Sequence, residues 1–144
     1  INFWGDISAH WWWWIIGLED PDDSNVIIWT ITIHEWFFCA SSGAKRKIWN
    51  HHHLLDPIHG GNSTYCKWTY VYSNSGILAD AFATLSCIVP PEMSLEIQSN
   101  IIQWNVLDIL EKKPILSVGI ITEERDWLAT SDIFKIFTSQ ELLP

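Results

Sequence analysis

Metal-capable side chains crowd one short stretch of this chain: His51, His52, His53, Asp56 and His59. A bound metal needs ligands converging at about 2 Å. A strand would offer His51 and His53 from one face, whereas a helix would offer His52 or His53 with Asp56. Neither geometry uses all three consecutive histidines. The stretch is therefore read as a polar helix end followed by a loop, with no metal expected and His51, His53, Asp56 and His59 as the ligands if one binds. A second chemical feature is His34-Glu35, set in the apolar run from Val26 to Ala40. Adjacent strand residues point to opposite faces, so one of the two faces the interior. Burial would raise the pKa of Glu35 or lower that of His34, which is how interior acids and bases are made. The alternative is an outward Glu35 and a hydrogen-bonded core His34. The chain carries no G-x-S-x-G, P-loop or G-x-G-x-x-G signature.

Elements must hold these groups in place. Apolar residues Ile7, Trp11, Trp14, Ile15 and Leu18 recur at helical spacing after Asp6, a residue suited to an N-cap, which predicts a first helix. Trp12, Trp13 and Ile16 lie off its stripe, so the helix is either covered on more than one side or exposes aromatic surface to a partner. The run Glu19-Asp20-Pro21-Asp22-Asp23 predicts a solvated loop. Val26 to Ala40 predicts a strand broken by Ser41-Ser42-Gly43, and Ala44 to Leu55 a helix started by Ser42. Tyr65 to Ser73 alternates as a half-buried strand and ends in the turn Asn74-Ser75-Gly76. Ile77 to Val89 reads as the return strand, with a helix as the alternative because the run is Ala-rich, and Leu95 to Gln98 and Ile102 to Leu110 as further strands, the latter with a helix as its alternative. Ile115 to Thr122 and Trp127 to Phe137 form a hairpin across Glu123-Glu124-Arg125-Asp126. The sum is an α+β domain over residues 1–144, a curved antiparallel sheet with helices early in the chain.

Composition narrows the partners. With 17 acidic against 8 basic residues and a net charge of −9, the surface repels phosphate backbones, so no nucleic acid is expected. The apolar run Ile7 to Leu18 is shorter than the roughly 20 residues that span a bilayer, so no membrane span is expected. Cys39, Cys66 and Cys87 are read as buried thiols, without a C-x-x-C pair.

The stretch Trp127-Leu128-Ala129-Thr130-Ser131-Asp132-Ile133-Phe134-Lys135 resembles the closing strand of the nuclear transport factor 2-like family. The aromatic run His10 to Trp14 and Gly43-Ala44-Lys45 are similar to that family in the same order. A second resemblance, to hotdog-fold thioesterases, rests on Ile77-Leu78-Ala79-Asp80-Ala81 and His59-Gly60-Gly61. The four successive tryptophans also suit an artificial sequence on a natural backbone, without evolved function. The first resemblance implies a cone-shaped fold, an intracellular place and a non-enzymatic protein-binding or transport role without a cofactor. Trp12, Trp13, Glu35 and Trp36 would then meet a basic or hydrophobic peptide partner, and the sheet would form a homodimer. The same resemblance implies, as the alternative, an isomerase, dehydratase or hydrolase acting on a small apolar substrate. Its cavity groups would be His34, Tyr70 and Asp80, beside Tyr72, Trp104 and Asp132.

Overall fold

Runs rich in β-branched and aromatic residues become strands, and the Ala-rich run between them becomes a helix. The computed structural model describes residues 2–3, 6–10, 12–33, 38–43, 47–48, 51–103 and 115–130. Its strands are β1 (Asn2–Phe3), β2 (Asp6–Ser8), β3 (Trp14–Glu19), β4 (Ile27–Ile33), β5 (Phe38–Gly43), β6 (Lys47–Ile48), β7 (His51–His52), β8 (Trp68–Ser73), β9 (Leu116–Ile121) and β10 (Trp127–Ala129). Helices α1 (Gly76–Ile88) and α2 (Pro91–Gln103) lie between β8 and β9. One sheet has the order β1-β2-β5-β8-β9-β10, and β3-β4 and β6-β7 are separate antiparallel pairs. The α+β composition and antiparallel pairing stand as expected. The order of the elements does not.

In place of the predicted first helix stand β2 and β3, which lie in different sheets, β3 pairing with β4. Along β3, Ile16 and Leu18 turn inward while Ile15, Gly17 and Glu19 face out, a period of two. Its partner β4 buries Ile31 and Ile33 and exposes Thr30 and Thr32. In so apolar a run the helical stripe and the strand face share residues, and pairing with β4 decides between them. The single strand expected over Val26 to Ala40 is two strands in different sheets, and Ser41-Ser42-Gly43 continues β5 instead of breaking it. The predicted helix from Ser42 is absent over the described part of that stretch, where β6 pairs with β7. Conversely, the predicted return strand Ile77 to Val89 is α1. Asn74-Ser75-Gly76 caps it, with Ser75 Oγ accepting from the Leu78 amide and the Ser75 carbonyl from the Ala79 amide. Pro90-Pro91 ends α1 and starts α2, which takes in the strand expected at Leu95 to Gln98. The hairpin of Ile115 to Thr122 with Trp127 is present as β9 and β10.

Strands β8 and β9 are buried on both faces. On one, Val71, Val118 and Ile120 pack with Ala79, Phe82, Ala83 and Cys87 of α1. On the other, Tyr70, Tyr72 and Ile121 pack with Leu18, Ile31 and Ile33 of the β3-β4 pair. Polar side chains fix the helices: Thr69 Oγ1 donates to the Ala83 carbonyl, Gln98 Nε2 to the Leu116 carbonyl, and the Ser86 and Ser94 hydroxyls share a 2.6 Å bond. On the hairpin side the Trp29 and Trp127 rings lie 4.1 Å apart, and Tyr70 OH donates to the Glu19 carbonyl.

Trp127 lies flat on β9 at Gly119, where a Cβ would run into the ring at Cη2 and Cζ2. Gly119→Ala should therefore push the ring off and cost about 1–3 kcal/mol in denaturant unfolding. In a Trp127→Ala background the same change should cost much less, and equal costs in the two backgrounds would show that the ring is not the obstacle.

Candidate functional site

The stretch richest in chemistry folds as a tight loop between β7 and β8. Leu55 bridges Asn62, and the Asp56 amide donates to the Gly61 carbonyl at 3.0 Å. Asp56 closes the turn: its Oδ1 accepts from the amides of Ile58 at 2.7 Å and His59 at 3.1 Å. Gly60 and Gly61 then take φ of +73° and +83°, the left-handed conformation that glycine adopts without strain. The second carboxylate oxygen, Oδ2, lies 2.8 Å from His59 Nδ1 and accepts from Tyr65 OH at 3.4 Å. The His59 ring and these two amides together hold the Asp56 carboxyl down from 3.8 to about 2.

The pair is built with opposite exposures. Asp56 keeps 8% of its side-chain surface and His59 keeps 69%. A buried carboxylate on Nδ1 orients the ring and sets its tautomer, leaving Nε2 as the outward proton acceptor. That is the arrangement of a positioned general base. The loop is seated on α1, since Leu54 joins the buried cluster of Ala79, Phe82, Ala83 and Cys87, and Ser63 Oγ donates to the Cys87 carbonyl. On the outer face of α1, Asp80 and Thr84 stand exposed one turn apart.

Of the histidine-rich stretch, the structure thus joins Asp56 and His59 and adds Tyr65, which sequence reasoning missed. The legible signal was Asp-x-x-His before two glycines, the pattern of an Asx turn. His53 is exposed, and among the described residues no group of three or more His, Cys, Asp and Glu converges. Asp80, expected inside a strand, sits on a helix. Tyr70 is buried with its hydroxyl on the Glu19 carbonyl, joining the hairpin to the sheet. Trp12 and Trp13 are 72% and 63% exposed. His34, Glu35, Trp36, Trp104 and Asp132 lie outside the described residues, as does the side chain of His51.

The acidic run expected to be a solvated loop is partly buried. Asp20 is covered, and Arg125 Nη2 from the β9-β10 turn meets its Oδ2 at 2.6 Å while Nη1 reaches Asp22. Lys67 Nζ lies 3.0 Å from both Asp22 carboxylate oxygens. Arg125 holds the Asp20 carboxyl below its usual range. The two acidic loops read from the sequence are therefore neighbours clasped by one arginine.

The sequence model of the ApbE family matches residues 1–106, well over half of the 144. The chain belongs to the ApbE family. No curated protein sequence matches it. Two solved ApbE structures share the fold. The ApbE protein of Thermotoga maritima superposes with a TM-score of 0.63 at 20% identity, over 92% of this chain and 42% of that one. The flavinyl transferase ApbE of Pseudomonas stutzeri, in its apo form, gives 0.58 at 18% identity, over 92% and 40%. The chain spans about two fifths of the length of these relatives.

Membership in the ApbE family overturns the resemblances to nuclear transport factor 2-like proteins and hotdog thioesterases. The cone loses its basis with them, and so do the protein-binding and transport role, the cavity-enzyme alternative and the sequence without evolved function. The physical reason lies in the middle of the chain. The Trp127–Ala129 strand pairs with β9 through three residues, a local pattern, whereas between β8 and β9 the chain forms two helices, α1 and α2, where strands were expected. Among the described residues no helix is long and apolar enough to cross a membrane.

A carboxyl lowered on folding stabilises the folded state above its unfolded pKa and loses that effect as pH falls toward the folded value. For Asp56 the window runs from about 4 down to about 2. Amide exchange at Ile58 and His59 should accelerate through that window relative to the rest of the chain, and Asp56→Asn should flatten the profile. An unchanged profile in the variant would remove Asp56 as its source.

Proposed function

We propose that this chain is one domain of a flavinyl transferase and carries part of its group-transfer site on the Asp56–Gly61 loop and the exposed face of α1. The family match over residues 1–106 carries this reading, since it takes in the whole loop and all of α1. The fold shared with the Pseudomonas stutzeri flavinyl transferase supports it. With a flavin dinucleotide as donor, the acceptor oxygen forms a bond to the flavin-side phosphorus, the phosphoanhydride bond breaks, the nucleoside monophosphate leaves, and the acceptor gives up its proton. His59, turned outward with Asp56 behind it, is the group suited to take that proton at Nε2. Asp80 and Thr84 add an exposed carboxylate and hydroxyl on the helix that seats the loop.

Flavin mononucleotide and flavin adenine dinucleotide should each be titrated against the protein and followed by quenching of flavin fluorescence. Transfer to an acceptor protein is then read as fluorescence that survives a denaturing gel. His59→Gln should leave nucleotide affinity within about twofold and lower the transfer rate roughly 100-fold. Failure of both nucleotides to bind would overturn the flavinyl transferase reading, and full transfer by His59→Gln would remove the histidine from it.

A further inference from the structure

Two cysteines far apart in sequence face each other in the core. Cys66 precedes β8 and Cys87 lies in the last turn of α1, 21 residues on, with their Sγ atoms 3.0 Å apart. Both are thiols, 2% exposed. That separation is only about 1 Å beyond a disulfide bond of roughly 2.05 Å. Thr69 Oγ1 stands 3.6 Å from Cys87 Sγ, and Ser63 Oγ donates to the Cys87 carbonyl, so Cys87 is already held at its side chain and its backbone.

We propose that Cys66 and Cys87 form an intramolecular disulfide that staples the candidate loop's exit to α1, and that it forms before the site closes during folding. The proposal does not depend on the flavinyl transferase reading. The reaction is thiol–disulfide exchange with a small-molecule or protein disulfide as oxidant. One cysteine, as thiolate, attacks that disulfide and expels a thiol, and the second displaces the other thiol from the mixed disulfide. Two protein thiols are oxidised to one S–S bond while the oxidant's disulfide is reduced to two thiols, which carry the two protons away. In the folded protein both residues are 2% exposed, so an oxidant reaches neither sulfur, and the hydrogen bond to Cys87 and burial also push the Cys66 thiol up. Access before closure therefore sets the outcome. Neither the spacing nor Cys39 suggests this pair from sequence, because only packing α1 on β8 brings the two sulfurs together.

The protein should be produced once in an oxidising and once in a reducing compartment of the expression host, then denatured and labelled with maleimide at lysis. Oxidised protein should take one label, at Cys39, and reduced protein three. Peptide mapping should return a cross-link joining Cys66 to Cys87, and the oxidised form should melt roughly 5–10 °C higher. Reduced, folded protein exposed to glutathione disulfide should still take three labels over hours. Cys39→Ser should take none after oxidising production, and Cys87→Ser should not form the cross-link. Three labels on the wild-type protein from the oxidising compartment, or a cross-link that includes Cys39, would overturn the proposal, and rapid cross-linking of the folded form would overturn its timing.

Discussion

Burial of β8 and β9 on both faces is the constraint on which the other elements depend. All six residues of β9 are buried, and β8 is buried from Thr69 to Ser73. A strand in that position can offer water neither side, so each face requires its own cover. Helices α1 and α2 cover one, and the β3-β4 pair covers the other. Because successive side chains alternate, a slip of one residue would exchange Val118 and Ile120 for Gly119 and Ile121 beneath the helices. The register is thereby held by both layers at once.

The hairpin layer is fastened by aromatic packing and charge. Trp29 against Trp127, and Tyr70 beneath Glu19, join the sheets through apolar area and a part-buried hydrogen bond. Arg125 and Lys67 close the edge on Asp20 and Asp22. The ion pairs at exposed Asp22 are worth little singly, about 0–1 kcal/mol. Their effect is orientation: the hairpin's turn is held against the β9-β10 turn, and Arg125 adopts φ of +70° there, the one positive value among the described non-glycine residues. The helix layer instead seats the loop from Leu54 to Cys66. The same sheet thus supports an aromatic face and a face that carries titratable groups.

The site was legible in part. Asp56 and His59 were singled out because they share a stretch with three histidines, and they do meet. Their joint role lay outside the metal question, since metal binding asks how many ligands converge, whereas an Asx turn needs only one carboxylate and two amides. Tyr65 was invisible because its approach to Asp56 depends on the loop folding back through Gly60-Gly61. Asp80 was noticed for the wrong reason, as a carboxylate in a strand, although its place on the exposed face of α1 makes it more accessible.

By itself the sequence determined the strand content of Ile27–Ile33, Trp68–Ser73 and the β9-β10 hairpin, since β-branched and aromatic alternation is a local property of the chain. It also determined the Asx turn, because Asp56 bonds to amides two and three residues away. Tertiary structure decided where helix and strand share a pattern. Asn74-Ser75-Gly76 suits both a hairpin turn and a helix cap, and the packing of Ala79, Phe82 and Ala83 on Val71 and Val118 selects the cap. The tryptophan-rich start suits both a helix and a strand, and the inward faces of Ile31 and Ile33 select the strand. Only the assembled layers bring Cys66 to Cys87 and Asp20 to Arg125, because contact between distant residues depends on which faces the core requires to be buried.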